Sequence, residues 1–110
     1  MLKASDVQSS PVLMKYIEKQ LSLLEEKDTG KSKKTCREMI DLVPAVIKQS
    51  GYEIVSAMPF KRLAIIYEKE GDFEKAINTC VLALSFNLDD DGTKGGIIGR
   101  IERLKKKAGL

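Results

Sequence analysis

The residues that could act at a catalytic centre are few in this chain. Its 110 residues include no His and two Cys, which are Cys36 and Cys80. The absence of His excludes Ser-His-Asp triads, Cys-His pairs and the His-containing zinc sites. Two Cys are too few for a four-Cys metal cluster or a disulfide framework, and in a reducing compartment they behave as small apolar residues. We therefore expect Cys36 and Cys80 in the core, and we expect the protein not to be an enzyme.

The acidic and glycine-rich segments near the end of the chain fit known ligand motifs poorly. Asp89-x-Asp91-Gly92 is similar to the start of a calcium loop, but Arg100 stands at the twelfth position, where such a loop has Glu. The glycines within residues 95–99 fit neither of the two common phosphate-binding motifs, G-x-G-x-x-G and G-x-x-x-x-G-K-[ST]. No strand is predicted before them, whereas both motifs follow a strand. The sequence therefore predicts no metal and no cofactor, and it indicates a flexible loop with a close helix approach at these glycines.

Positive charge is concentrated in the last part of the chain. The net charge is +3, yet from Gly92 onward six Lys or Arg residues accompany one Glu, which gives that segment +5. Such a cationic helix can contact nucleic-acid phosphates, an acidic protein or a membrane surface, or it can simply favour the helix dipole and solubility. No aromatic residue lies among these cations, so base stacking is unsupported. The candidate anion or nucleic-acid contacts are Arg100, Arg103, Lys105, Lys106 and Lys107.

Length and composition predict one domain, residues 1–110, with a buried core. The hydrophobic content is 43%, which is too high for a disordered chain. The longest apolar runs have four residues, such as Leu63–Ile66, whereas a membrane-spanning helix needs about 20. The polar start of the chain also lacks the apolar run of a secretory signal. We expect a cytoplasmic protein without membrane contact, in which residues 1–9 are disordered.

Apolar residues recur at spacings of three and four, which predicts an all-α fold of about five helices. Residues 11–50 are predicted to form a helical hairpin. The predicted apolar face of its first helix consists of Leu13, Ile17, Leu21 and Leu24. Gly30 is expected to adopt a positive φ just after that helix. Pro44 removes a backbone donor from the second helix, so that helix either continues with a kink or ends near Leu42.

The most specific pattern lies within residues 57–90. Its characteristic residues are Phe60, Leu63, Ala64, Tyr67, Ala76, Cys80 and Ala83, with Gly71-Asp72-Phe73 between the two helices. This pattern resembles a tetratricopeptide repeat, a helix-turn-helix unit of about 34 residues. Leu88 departs from the pattern, because the repeat often has Pro there. We expect an antiparallel helical hairpin at 57–90, flanked by the divergent hairpin of 11–50 and by a basic capping helix at 95–108.

The resemblance implies binding of a protein or peptide on the surface of the first repeat helix. Carried onto this sequence, the binding residues are Met58, Lys61, Arg62, Ile65 and Lys69. Ile65 stands where the carboxylate-gripping subfamily has Asn, so a carboxylate clamp is not expected. The alternative for Lys61, Arg62 and Lys69 is that they lie on a solvated helix face and bind no partner.

We therefore expect a non-catalytic adaptor or regulator that binds a protein or peptide. The alternative function is a small nucleic-acid-associated regulator that uses the basic last helix. Because one repeat leaves an apolar face uncovered, self-association into a homo-oligomer also stays open.

Overall fold

The computed structural model describes residues 10–109, and this range contains five helices and no strand. The helices are α1 (Pro11–Glu25), α2 (Thr29–Ser50), α3 (Met58–Lys69), α4 (Phe73–Ser85) and α5 (Gly96–Lys107). The predicted all-α fold of about five helices is therefore confirmed. The disorder predicted for residues 1–9 lies outside the described residues. Between residues 10 and 109, no helix is both long and apolar enough to cross a membrane.

Contacts between helices divide the chain into two compact units. The first unit extends to Val55 and contains α1 and α2, and the second begins at Ser56 and contains α3, α4 and α5. Within the first unit, α1 packs against α2. Within the second, α4 packs against both α3 and α5. The prediction that residues 1–110 form one domain stays a prediction.

Helix α1 begins where the sequence predicts but buries a different face. Ser10 caps the helix by accepting a hydrogen bond from the amide of Leu13 at 3.3 Å, and Pro11 occupies the first turn. The buried residues of α1 are Leu13, Tyr16 and Leu23. Leu21 and Leu24 are instead 60% and 61% exposed, so the predicted face was partly wrong. Both sets follow the helical spacing, and the buried one includes the large Tyr16 ring.

Helix α2 begins earlier than the sequence suggests and runs through its proline. The Asp28 carboxylate caps it by accepting a hydrogen bond from the amide of Lys31 at 2.9 Å. Gly30 therefore lies inside the first turn of α2, and its predicted positive φ was wrong. Pro44 is exposed and does not end the helix, which continues to Ser50. The buried residues of α2 include Cys36, Met39, Ile40, Val43 and Val46.

Helices α3 and α4 form the helical hairpin predicted at residues 57–90. Gly71 has a φ of +78° at the corner, a conformation that glycine adopts without a steric penalty. Asp72 then caps α4 through a hydrogen bond from the amide of Lys75 at 3.1 Å. Ala64 in α3 and Ala76 in α4 are both buried, and their small side chains allow two helix backbones to lie close together. The larger core residues of the unit are Phe60, Leu63, Tyr67, Ile97 and Leu104.

Helix α5 is attached to the preceding loop through Asp89. The amide of Ile97 donates to the Asp89 carbonyl at 2.8 Å, and the amide of Ile98 donates to its carboxylate at 3.0 Å. These bonds satisfy amides at the start of α5 that have no partner within the helix. Gly96 permits the approach, because a Cβ added there would lie 2.6 Å from the Asp89 carbonyl oxygen. The close approach at Gly96 is to the loop residue Asp89, so the close helix approach expected at these glycines stays a prediction.

Candidate functional site

Four of the five residues predicted to bind a partner line one groove on α3. Met58, Lys61, Arg62 and Ile65 surround an open space of about 370 Å³. They lie at positions i, i+3, i+4 and i+7 of the helix, so a single rigid element presents all four. All four are partly exposed. The fifth residue, Lys69, is exposed at the end of α3 and does not line the groove.

Lys61 connects this groove to the loop between α4 and α5. Its Nζ donates a hydrogen bond to the carbonyl oxygen of Asp91 at 3.2 Å. The hydrocarbon part of the Lys61 side chain can therefore border the groove while the ammonium group holds the loop. One wall of the candidate site thus depends on the position of Asp91.

Asp91 is the buried centre of a charged cluster in the second unit. Its side chain has no solvent exposure, and its Oδ2 accepts a hydrogen bond from Arg100 Nε at 3.0 Å. Its Oδ1 accepts from the Thr93 amide at 3.0 Å and also from the Thr93 hydroxyl. Burial by itself raises the pKa of the Asp91 carboxyl, but the bonds from Thr93 and Arg100 and the Arg100 charge outweigh it and lower the pKa. Asp91 is therefore ionised at neutral pH.

The cations predicted on the last helix have different surroundings. Arg100 is 11% exposed and paired with Asp91, so most of its surface is withdrawn from external anions. Lys107 pairs with Glu68 of α3 at 2.5 Å, although its side chain is 60% exposed. Arg103, Lys105 and Lys106 are exposed. Contact between this helix and nucleic acid stays a prediction. It depends mainly on the exposed cations Arg103, Lys105 and Lys106.

The two cysteines lie in the core, as expected. Cys36 and Cys80 have no solvent exposure, and neither forms a disulfide. Burial raises the pKa of the Cys80 thiol to about 11, with Arg100 acting in the opposite direction. At neutral pH this thiol is protonated and inaccessible, so it is poorly suited to act as a nucleophile.

Asp91 is the site residue that sequence reasoning missed. The sequence places it in an acidic, glycine-rich loop, which suggested only a solvated connection. The available signal was the position of Asp89, Asp91 and Thr93 shortly before a helix, since such side chains often bond nearby backbone amides. The partners Lys61 and Arg100 lie 30 and 9 residues away along the chain, and local spacing does not predict the first of these contacts.

No protein-family model matches the chain, and neither does any curated protein or solved structure. The resemblance of residues 57–90 to a tetratricopeptide repeat therefore stays a prediction that rests on the residue pattern.

Proposed function

We propose that this protein is a non-catalytic protein- or peptide-binding module that uses the groove on α3. The observation that carries the proposal is the convergence of Met58, Lys61, Arg62 and Ile65 on one groove of about 370 Å³. The resemblance of residues 57–90 to a tetratricopeptide repeat implies the same four residues as partner contacts. Their shared position on a single helix supports a preformed binding surface.

The groove combines apolar contact area with positive charge. Met58 and Ile65 stand two turns apart, and Lys61 and Arg62 lie between them. Such a surface suits a peptide whose apolar side chains enter the groove while its polar groups bond to the cations. Specific interfaces commonly have this composition, an apolar centre with polar groups around it.

The proposal includes a tetratricopeptide-like hairpin formed by α3 and α4. It is supported by the burial of Ala64 in α3 and of Ala76 and Ala83 in α4, and by the positive φ of Gly71 at the corner. It also includes a cytoplasmic location, which the two free buried cysteines support.

The decisive variant is Ile65→Asp in the full chain. Peptides would first be selected on the immobilised wild-type protein from a random display library. Their affinities would then be measured by fluorescence anisotropy. We expect Ile65→Asp to weaken binding about tenfold or more, because a carboxylate in the apolar part of the groove must be desolvated when the peptide binds.

Lys69→Ala provides the matched control, since Lys69 is on the same helix but outside the groove. Its affinity is expected to stay within about twofold of wild type. Selected peptides that bind Ile65→Asp and wild type equally well would contradict the proposal, as long as circular dichroism shows the same helix content in both.

A further inference from the structure

A second groove, in the first unit, lies on α2 and is bordered by cations. It has a volume of about 420 Å³, and the described residues that line it are Gly30, Lys33, Lys34, Arg37, Glu38 and Asp41. These positions follow the i, i+3, i+4, i+7 spacing of one helix face. We propose that this face binds the phosphate backbone of a single-stranded nucleic acid without sequence preference.

The helix segment that carries this groove has an excess of positive charge. Residues 27–37 contain five Lys or Arg residues and one Asp, a net charge of +4, and Glu38 and Asp41 at the far end of the groove reduce the sum for residues 27–41 to +2. Lys34 and Arg37 are exposed. Cations three or four residues apart on a helix lie about 5–6 Å from one another at Cβ, so neighbouring phosphates can contact them together.

Two of the acidic residues near these cations, Asp28 and Glu38, have partners. The Asp28 carboxylate accepts a hydrogen bond from the amide of Lys31 at the start of α2. Glu38 pairs with Lys19 of α1 at 2.9 Å, and the Lys19 hydrogen bond, together with the charges of Lys19, Lys34 and Lys15, lowers its pKa. Glu38 is therefore ionised, and Lys19 offsets part of the negative charge that it places beside Lys34.

The lining residues distinguish a nucleic acid from a membrane. Helices that lie on membranes bury large apolar or aromatic side chains beneath the headgroups. The residues lining the α2 groove include none of these. They also include no aromatic ring for base stacking, so contact is limited to charge and hydrogen bonds with phosphates.

The end of the groove distinguishes a flexible strand from a stiff polyanion. Asp41 lies one turn beyond Arg37 and repels any polyanion that continues along the helix axis. A duplex is rigid over many base pairs, so one that lies along the α2 axis over these cations also passes Asp41. A single strand can cross α2 at Lys33, Lys34 and Arg37 and leave before it reaches Asp41.

The proposal is tested by fluorescence anisotropy with labelled poly(U) and the full chain. Three phosphate contacts to a single strand predict that affinity falls roughly 20-fold between about 50 and about 200 mM salt. The variant with Lys34→Gln and Arg37→Gln should bind about tenfold more weakly at the lower salt concentration. Both side chains are exposed, so the variant should keep the helix content of wild type by circular dichroism.

The matched control has Lys48→Gln and Lys94→Gln, which changes the net charge by the same amount on exposed residues outside the α2 groove. It should stay within about twofold of wild type if the α2 groove provides the contact. Equal weakening by both pairs, binding that does not depend on salt, or absence of binding to poly(U) would overturn the proposal. So would duplex DNA that binds as tightly as poly(U), or binding only to phosphatidylserine vesicles or to polyglutamate.

Discussion

Asp91 shows how one buried residue can position others that are far away in the sequence. It accepts hydrogen bonds from Thr93 and Arg100 through its carboxylate and from Lys61 through its carbonyl oxygen. A buried carboxylate is tolerated only when its oxygens have such partners. The same contacts place Lys61 at the groove of α3, so the integrity of this cluster and the shape of the candidate site are linked.

Replacing Asp91 with Asn should destabilise the protein by about 3 kcal/mol at neutral pH, because Arg100 then keeps a largely buried charge without its counterion. Thr93→Val should cost about 1 kcal/mol, since it removes only the hydroxyl bond to the same carboxylate. Urea unfolding followed by circular dichroism measures both values. Glu102→Gln is the control, because Glu102 is exposed on α5, and its effect should remain within about 0.5 kcal/mol.

The lowered pKa of Asp91 also gives the direction of a pH dependence. Since its pKa is lower in the folded protein than in the unfolded chain, its ionised form stabilises the fold. This contribution is complete above the unfolded pKa of about 3.9 and is lost as the pH falls through the folded value. The free energy of unfolding of wild type should therefore fall more steeply below about pH 4 than that of Asp91→Asn. Parallel pH profiles would contradict this assignment.

At the scale of elements, the start of α5 depends on one glycine. Gly96→Ala should destabilise the protein by more than about 2 kcal/mol, because its φ is +63° and the new Cβ would lie 2.6 Å from the Asp89 carbonyl. Gly92→Ala is matched to it, with a φ of +80° but no atom within 4 Å of the added Cβ, and should cost about 1–2 kcal/mol. Urea unfolding compares the two variants. Equal losses would show that the contact with Asp89 contributes little.

The sequence best predicts the helices whose ends are determined by residues nearby along the chain. The α3–α4 hairpin follows from Gly71 and the Asp72 cap, which act within one turn. The buried face of α1 could not be predicted as reliably, because Tyr16 and Leu23 follow Leu13 at helical spacing just as Leu21 and Leu24 do. Only packing against α2 decides between these faces. The path of α2 through Pro44 also depends on tertiary contacts, since Val43 and Val46 on either side of it are buried.

In the candidate site too, features that depend on one helix could be predicted, and features that depend on tertiary contacts could not. The groove residues on α3 follow from the resemblance to a tetratricopeptide repeat, which implies a binding surface on the first repeat helix, and their spacing is that of one helix face. Asp91 could not be predicted, because its contact with Lys61 joins residues from different elements. The cationic face of α2 follows helical spacing as well, and the cap at Asp28 places Lys33 and Lys34 inside that helix.

At the scale of the whole molecule, the two proposed surfaces belong to different units. The groove on α3 is built from residues of the second unit, and the cationic groove on α2 from residues of the first. Each unit has its own buried side chains, such as Met39 in the first and Phe60 in the second. The two sets of lining residues have no member in common.

We therefore expect the two binding activities to be separable. The Lys34→Gln, Arg37→Gln variant should bind the selected peptides within about twofold of wild type. Ile65→Asp should likewise bind poly(U) within about twofold of wild type. Both expectations follow because the free-energy changes of mutations at sites without shared partners add. The combined triple variant should show both losses at their individual magnitudes, measured by fluorescence anisotropy with each ligand in turn. If saturating peptide changed the affinity for poly(U) in wild type, the two surfaces would be energetically coupled. The separate assignment would then be wrong.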